Sequence, residues 1–91
     1  LKPGNVISNE PGFYKKGKFG IRLENMIYVK KVKNNLFFKN LTLVPFDKNL
    51  INFNLLTKKE KDYLINYNME IYLKLEKYLN YKEKFWLLSQ F

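Results

Sequence analysis

The sequence contains neither cysteine nor histidine. That removes disulfide frameworks, thiolate and imidazole zinc sites, cysteine nucleophiles and every histidine-based triad. Whatever chemistry the chain carries must use carboxylates, lysine, arginine, tyrosine or serine. Alanine is missing too, so the 46% of hydrophobic residues are nearly all large. Arginine occurs once, at Arg22, against 16 lysines. This scarcity argues against sequence-specific recognition of nucleic acid, because arginine supplies the bidentate fork for guanine and phosphate. No uncharged apolar run approaches the roughly 20 residues of a membrane span. The chain opens on Leu1 with no positively charged region ahead of an apolar one, so no secretory signal is visible. The expectation is a cytoplasmic protein with no membrane partner and no specific nucleic-acid partner.

The 91 residues allow one domain at most, with a modest core. The net charge of +9 has a compositional cause. Lys, Asn, Ile, Phe and Tyr together make 49 residues, as a gene written in A/T-rich codons would produce. Lysine excess of that origin gives at most weak, salt-sensitive attraction to polyanions.

Two parts separate by pattern. Residues 1–56 hold ten basic and three acidic side chains and read as strands and turns. The expected strands are Val6–Glu10, Ile21–Val32 and Leu41–Val44. Pro3-Gly4, Pro11-Gly12, Gly17, Gly20 and Pro45 punctuate them. The run from Ile21 to Val32 is so continuously apolar that burial on both faces is expected. From Thr57 the period becomes helical. Thr57 and Glu60 form a capping box, and Leu64, Tyr67, Ile71, Leu75 and Tyr78 make one apolar stripe. Asn80 and Glu83 offer a second cap, for a helix carrying Phe85, Trp86, Leu87 and Leu88. The fold class expected is α+β: antiparallel strands followed by a helical hairpin.

One arrangement in the first part is chemical. If a hairpin turn centres on Gly17, residues equidistant from it lie opposite one another, and Glu10 faces Glu24. Opposed side chains in an antiparallel pair have Cβ atoms about 4.5 to 5.5 Å apart, where like charges repel. Arg22 lies two residues before Glu24 and shares its face. Two carboxylates and one guanidinium then converge, a set that suits divalent cations. The same residues also suit an ordinary surface ion pair of little worth. A bulge at Pro11-Gly12 would move Glu10 to the other face. The pattern alone leaves both readings open.

The literal residues narrow the choice. Ser8-Asn9-Glu10-Pro11-Gly12-Phe13-Tyr14, followed by Gly20-Ile21-Arg22-Leu23-Glu24-Asn25, resembles the closing segment of Xaa-Pro aminopeptidases, which are pita-bread-fold metallopeptidases. The resemblance continues through Leu41-Thr42-Leu43-Val44-Pro45-Phe46, Leu55-Leu56-Thr57, Tyr63-Leu64 and Asn66-Tyr67, and looks like the C-terminal extension of the long, three-domain form. It implies that residues 1–35 end a catalytic domain and residues 36–91 form the extension. It also implies that Glu10 and Glu24 each bind metal in a site of two divalent ions, which are manganese in the family. By the same resemblance Glu10 takes a proton from the bridging water, Arg22 holds and charge-balances Glu24, and Tyr14 lines the substrate site. The substrate implied is a peptide with proline at its second position, and the C-terminal region can pair two copies in a homodimer. The family's remaining ligands, two aspartates and a histidine, are not among these 91 residues, so this chain alone is expected to be inactive. Asn68 stands where the helix often carries a histidine, and Lys39 where a glutamate is common. The rival expectation is a non-catalytic interaction module or the remnant of an interrupted gene.

Overall fold

A computed structural model describes all residues, Leu1–Phe91. Five strands come first: β1 (Val6–Asn9), β2 (Gly12–Lys15), β3 (Phe19–Arg22), β4 (Asn25–Val32) and β5 (Asn35–Asn40). Two helices follow, α1 (Lys58–Leu75) and α2 (Tyr81–Ser89), with single 3-10 turns at Lys48–Leu50, Phe53–Leu55 and Glu76–Tyr78. The α+β class expected from the sequence is observed. The chain forms two compact units, Leu1–Leu43 and Val44–Phe91.

In the first unit β1, β4 and β5 make an antiparallel sheet in the order β1-β4-β5, and β2 and β3 make a separate hairpin. The division has a local cause. Pro11 has no N–H to donate, so the ladder lapses between Asn9 and Gly12 on one side and between Arg22 and Asn25 on the other. Across the gap the Leu23 N–H still donates to the Pro11 carbonyl at 3.0 Å. The turn between β2 and β3 holds Gly17 at φ +70°, a left-handed conformation that glycine adopts without strain.

Three expectations about the strands are corrected. The run Ile21–Val32 is not one strand, because it breaks at Leu23-Glu24. Nor is it buried on both faces. Along β4, Asn25, Ile27 and Val29 are buried while Met26 and Lys30 are exposed, the alternation that an antiparallel strand with one covered face produces. Leu41–Val44 is irregular, and the strand after β4 is β5 instead. Its turn is made by Lys33 and Asn34, between the paired residues Val32 and Asn35, with Lys33 in the left-handed region at φ +55°. By Asn40 the ladder has run back along β4 to Ile27. The chain then folds around Met26, whose carbonyl accepts from the Leu41 N–H at 2.8 Å and whose N–H donates to Thr42 Oγ1 at 2.8 Å. Strand pairing ends there.

The second unit follows its caps. The Thr57 hydroxyl accepts from the Glu60 N–H at 3.2 Å, and the Glu60 carboxylate accepts from the Thr57 N–H at 2.9 Å. Asn80 and Glu83 repeat the arrangement at the start of α2. Of the predicted stripe, Tyr67 and Ile71 are buried, Leu64 and Leu75 half-buried and Tyr78 exposed. Tyr78 falls outside because the α-helix ends at Leu75 and tightens into a 3-10 turn, which rotates the next residues off the stripe. Tyr67 stacks on Phe46, with ring centroids 4.9 Å apart, and donates its hydroxyl to the Val44 carbonyl at 2.7 Å. On α2 only Leu87 is buried.

The first capping box carries a pH signature. The hydrogen bond from the Thr57 backbone, and secondly that from its side chain, hold the Glu60 carboxyl below its ordinary value near 4.5. A carboxyl depressed in the folded state stabilises the helix start above its unfolded pKa, and the contribution disappears as the pH falls through the folded value. The start of α1 should therefore loosen as the pH falls below 4.5, read as a smaller protection factor for the Thr57 amide, which donates to that carboxylate. Glu60→Gln should flatten that dependence.

Candidate metal centre

The site is built from strand register. Asn9 pairs with Asn25 in the sheet, and Gly12 with Arg22 in the hairpin. Both pairs are equidistant from Gly17, so no residue is inserted between the paired segments and no bulge changes the alternation. Glu10 and Glu24 occupy the opposed positions in the gap. Their side chains lie on the same face, since both carboxylates approach Arg22. Arg22 Nη1 is 3.9 Å from Glu10 Oε1, and Arg22 Nε is 3.6 Å from Glu24 Oε2.

These distances describe a loose cluster. A charge-assisted hydrogen bond closes to about 2.7–2.9 Å, and these ion pairs are longer. All three side chains are also open to water, at 41% exposure for Glu10, 47% for Glu24 and 52% for Arg22. Loose, hydrated pairs of this kind stabilise a fold by at most about 1 kcal/mol. The trio carries one net negative charge, and its four carboxylate oxygens are hard donors of the kind that magnesium, calcium and manganese prefer. No third carboxylate joins them within the chain. The donor set therefore fits part of a site for divalent ions, and cannot by itself complete an octahedral shell of six oxygens.

Tyr14 belongs to the same face as Arg22. An open depression of about 410 Å³ is lined by Tyr14, Gly20, Ile21, Arg22 and Glu24. All four residues singled out from the sequence (Glu10, Tyr14, Arg22 and Glu24) are thus brought to one side of the strands. Sequence reasoning missed the closeness of Tyr14 to the glycines at positions 12 and 20, which it read as turn punctuation. Tyr14 is the register partner of Gly20, a pairing that equidistance from Gly17 already implied.

The strands that carry this cluster and the capped helical hairpin that follows them each match a family of metallopeptidases. Residues 34–90 match the C-terminal region of peptidase M24, and residues 1–31 match metallopeptidase family M24. The chain belongs to the M24 metallopeptidases and corresponds to the closing region of that family.

Its relatives are more particular. The probable Xaa-Pro aminopeptidase P of Botryotinia fuckeliana is 49% identical over 82 residues, which is 81% of this chain and 12% of that protein. The corresponding protein of Fusarium vanettenii is 45% identical over 86 residues, covering 86% of this chain and 14% of the relative. An X-prolyl aminopeptidase from Caenorhabditis elegans, described as a cytosolic enzyme with a di-nuclear active site, superposes with a TM-score of 0.80 at 32% identity. That match covers 99% of this chain and 16% of the nematode chain. The chain spans about one-seventh of the length of the relatives it matches.

Proposed function

We propose that residues 1–35 close the catalytic domain, and residues 36–91 form the C-terminal extension, of an Xaa-Pro aminopeptidase. In complete form this enzyme removes the N-terminal residue preceding proline. The observation that carries the reading is the approach of one guanidinium to two register-opposed glutamates on a single strand face, in a chain whose relatives are Xaa-Pro aminopeptidases P.

Two divalent ions, proposed to be manganese, would be held in part by Glu10 and Glu24. When bound they supply Lewis acidity toward the scissile carbonyl and lower the pKa of water. The di-nuclear site described for the nematode enzyme supports the number of ions, and the hard carboxylate donors are of a kind that manganese accepts. The residues of this chain have distinct tasks. Glu24 is a ligand whose orientation Arg22 holds through the Nε contact. Arg22 also offsets the repulsion that two opposed carboxylates would otherwise feel. Glu10, the other ligand, is the acceptor for a proton from the attacking water, a role open to a carboxylate that faces solvent beside the site. Tyr14 lines the floor against which the peptide lies. The exposed aromatic residues of α2, Phe85 and Trp86, suit pairing of two copies through the C-terminal region. A cytoplasmic setting accords with the cytosolic description of the nematode enzyme. No helix is long and apolar enough to cross a membrane.

Fragment complementation tests the reading. An Xaa-Pro aminopeptidase P cut before its own Ser-Asn-Glu-Pro-Gly run is co-expressed with this chain, and release of the first residue of an Xaa-Pro peptide is followed with manganese present. Activity should be regained with the native chain and lost with Glu10→Ala or Glu24→Ala. Equal rescue by the Glu24→Ala chain would overturn the metal assignment.

A further inference from the structure

Four glycines occur in the chain, and two of them have no conformational reason to be glycine. Gly4 and Gly17 adopt φ of +86° and +70°, where side chains are strained, and a methyl group added to either would meet nothing within 4 Å. Gly12 and Gly20 are the reverse. Neither has positive φ, so any residue could adopt the backbone, yet a methyl on either would collide with one side chain. On Gly12 it would lie 2.7 Å from Tyr14 Oη and 2.9 Å from Cε2 and Cζ. On Gly20 it would lie 2.6 Å from Tyr14 Cδ1 and 3.0 Å from Cε1. Both distances to the ring on the Gly20 side, and all three on the Gly12 side, are at or inside the closest approach that real side chains tolerate. The ring therefore lies flat across the hairpin, with one edge on β3 at Gly20 and its hydroxyl end on β2 at Gly12.

We propose that Gly12 and Gly20 are positioning residues that form a bed for the Tyr14 ring and fix where its hydroxyl lies. Gly20 faces Tyr14 directly across the strands, and Gly12 is the register partner of Arg22. Laying the ring on this diagonal carries the phenol oxygen toward the Arg22 end of the hairpin and turns one ring face outward. That outward face becomes the floor of the depression walled by Arg22 and Glu24. A methyl at either glycine would tilt the ring up, withdraw the hydroxyl and replace the flat floor with a ring edge. Tyr14 is 65% exposed, so no tertiary neighbour buries it. The backbone beneath is the surface that holds it, an arrangement known to stabilise strands when an aromatic ring covers a cross-strand glycine. The functional consequence rests on the reading of this face as the metal and substrate site, whereas the ring position does not depend on it.

The test uses the 91-residue chain without metal, which separates it from the complementation assay. A tyrosine ring lying on two glycines shifts their Hα resonances upfield. The upfield shifts at Gly12 and Gly20 should survive Tyr14→Phe and vanish in Tyr14→Leu. Gly20→Ala should abolish the shift at Gly12, two strand positions away on the neighbouring strand, while leaving the β1–β4 amide resonances in place. A second measurement covers a variant that folds poorly. Gly20→Ala should lower the urea midpoint when Tyr14 is present and leave it unchanged or raised in the Tyr14→Ala background. A Gly12 shift that persists in Gly20→Ala would overturn the proposal. So would an equal loss of stability from Gly20→Ala with and without the ring.

Discussion

Ile71→Ala should lower the unfolding free energy by roughly 2 to 5 kcal/mol, the range for deleting a buried branched side chain and leaving a cavity. Ile71 is the one large side chain with no solvent exposure at all. It lies one turn beyond Tyr67 on α1, and with Leu87 of α2 these are the buried hydrophobic residues of the second unit. With so few buried side chains, half-exposed neighbours such as Leu75 can relax toward the space, which favours the lower part of the range. Thr57→Ala, by contrast, removes one capping hydroxyl and should cost about 1 kcal/mol. Urea melts of the two variants at several protein concentrations check both values. Melts of the parent chain that depend on concentration, with the dependence lost in the Ile71 variant, would show that part of the stripe faces a second copy. Neutrality at every concentration would mean that the stripe is neither core nor interface.

The second large effect concerns turnover. The chain by itself should release no N-terminal residue from an Xaa-Pro peptide, even with manganese added, and should match a Glu24→Ala control. The reason is coordination. Glu10 and Glu24 supply carboxylates, no third acidic side chain gathers with them, and histidine is absent from the sequence. Two ions held by two half-exposed carboxylates would exchange freely with water and could not be fixed 3.5–4 Å apart, the separation that two-metal hydrolysis uses. Turnover above the Glu24→Ala control would mean that Glu24 supports catalysis without the missing ligands, and would overturn the reading of the chain as an inactive fragment.

Much of this architecture can be read from residues 1–91 directly, and the exceptions have physical causes. Both helices announce themselves, because a capping box is a local device whose partners are three residues apart. The site face is legible for a related reason: one turn glycine fixes the register, and register fixes which side chains share a face. The β4–β5 turn escapes notice, since Lys33-Asn34 carries neither glycine nor proline and a lysine in the left-handed region leaves no compositional mark. Reading past it displaced the third strand to Leu41–Val44. The apolar run Ile21–Val32 misled for another reason. Hydrophobicity reports what is to be covered in the finished protein, and this chain covers only one face of β4.

That uncovered surface has a consequence for handling the chain. β5 is an edge strand whose second row of N–H and C=O groups is unclaimed, and it presents Leu36, Phe37 and Phe38 to solvent. Such an edge is a template for adding further strands, copy upon copy. The counterweight is electrostatic: Lys30, Lys31, Lys33 and Lys39 crowd the same hairpin and repel their counterparts on an approaching molecule. At 0.1 M salt that repulsion is screened beyond about 10 Å. The colloidal behaviour of the isolated chain is thus governed by ionic strength, with dispersal in dilute buffer giving way to strand-on-strand assembly as salt is raised.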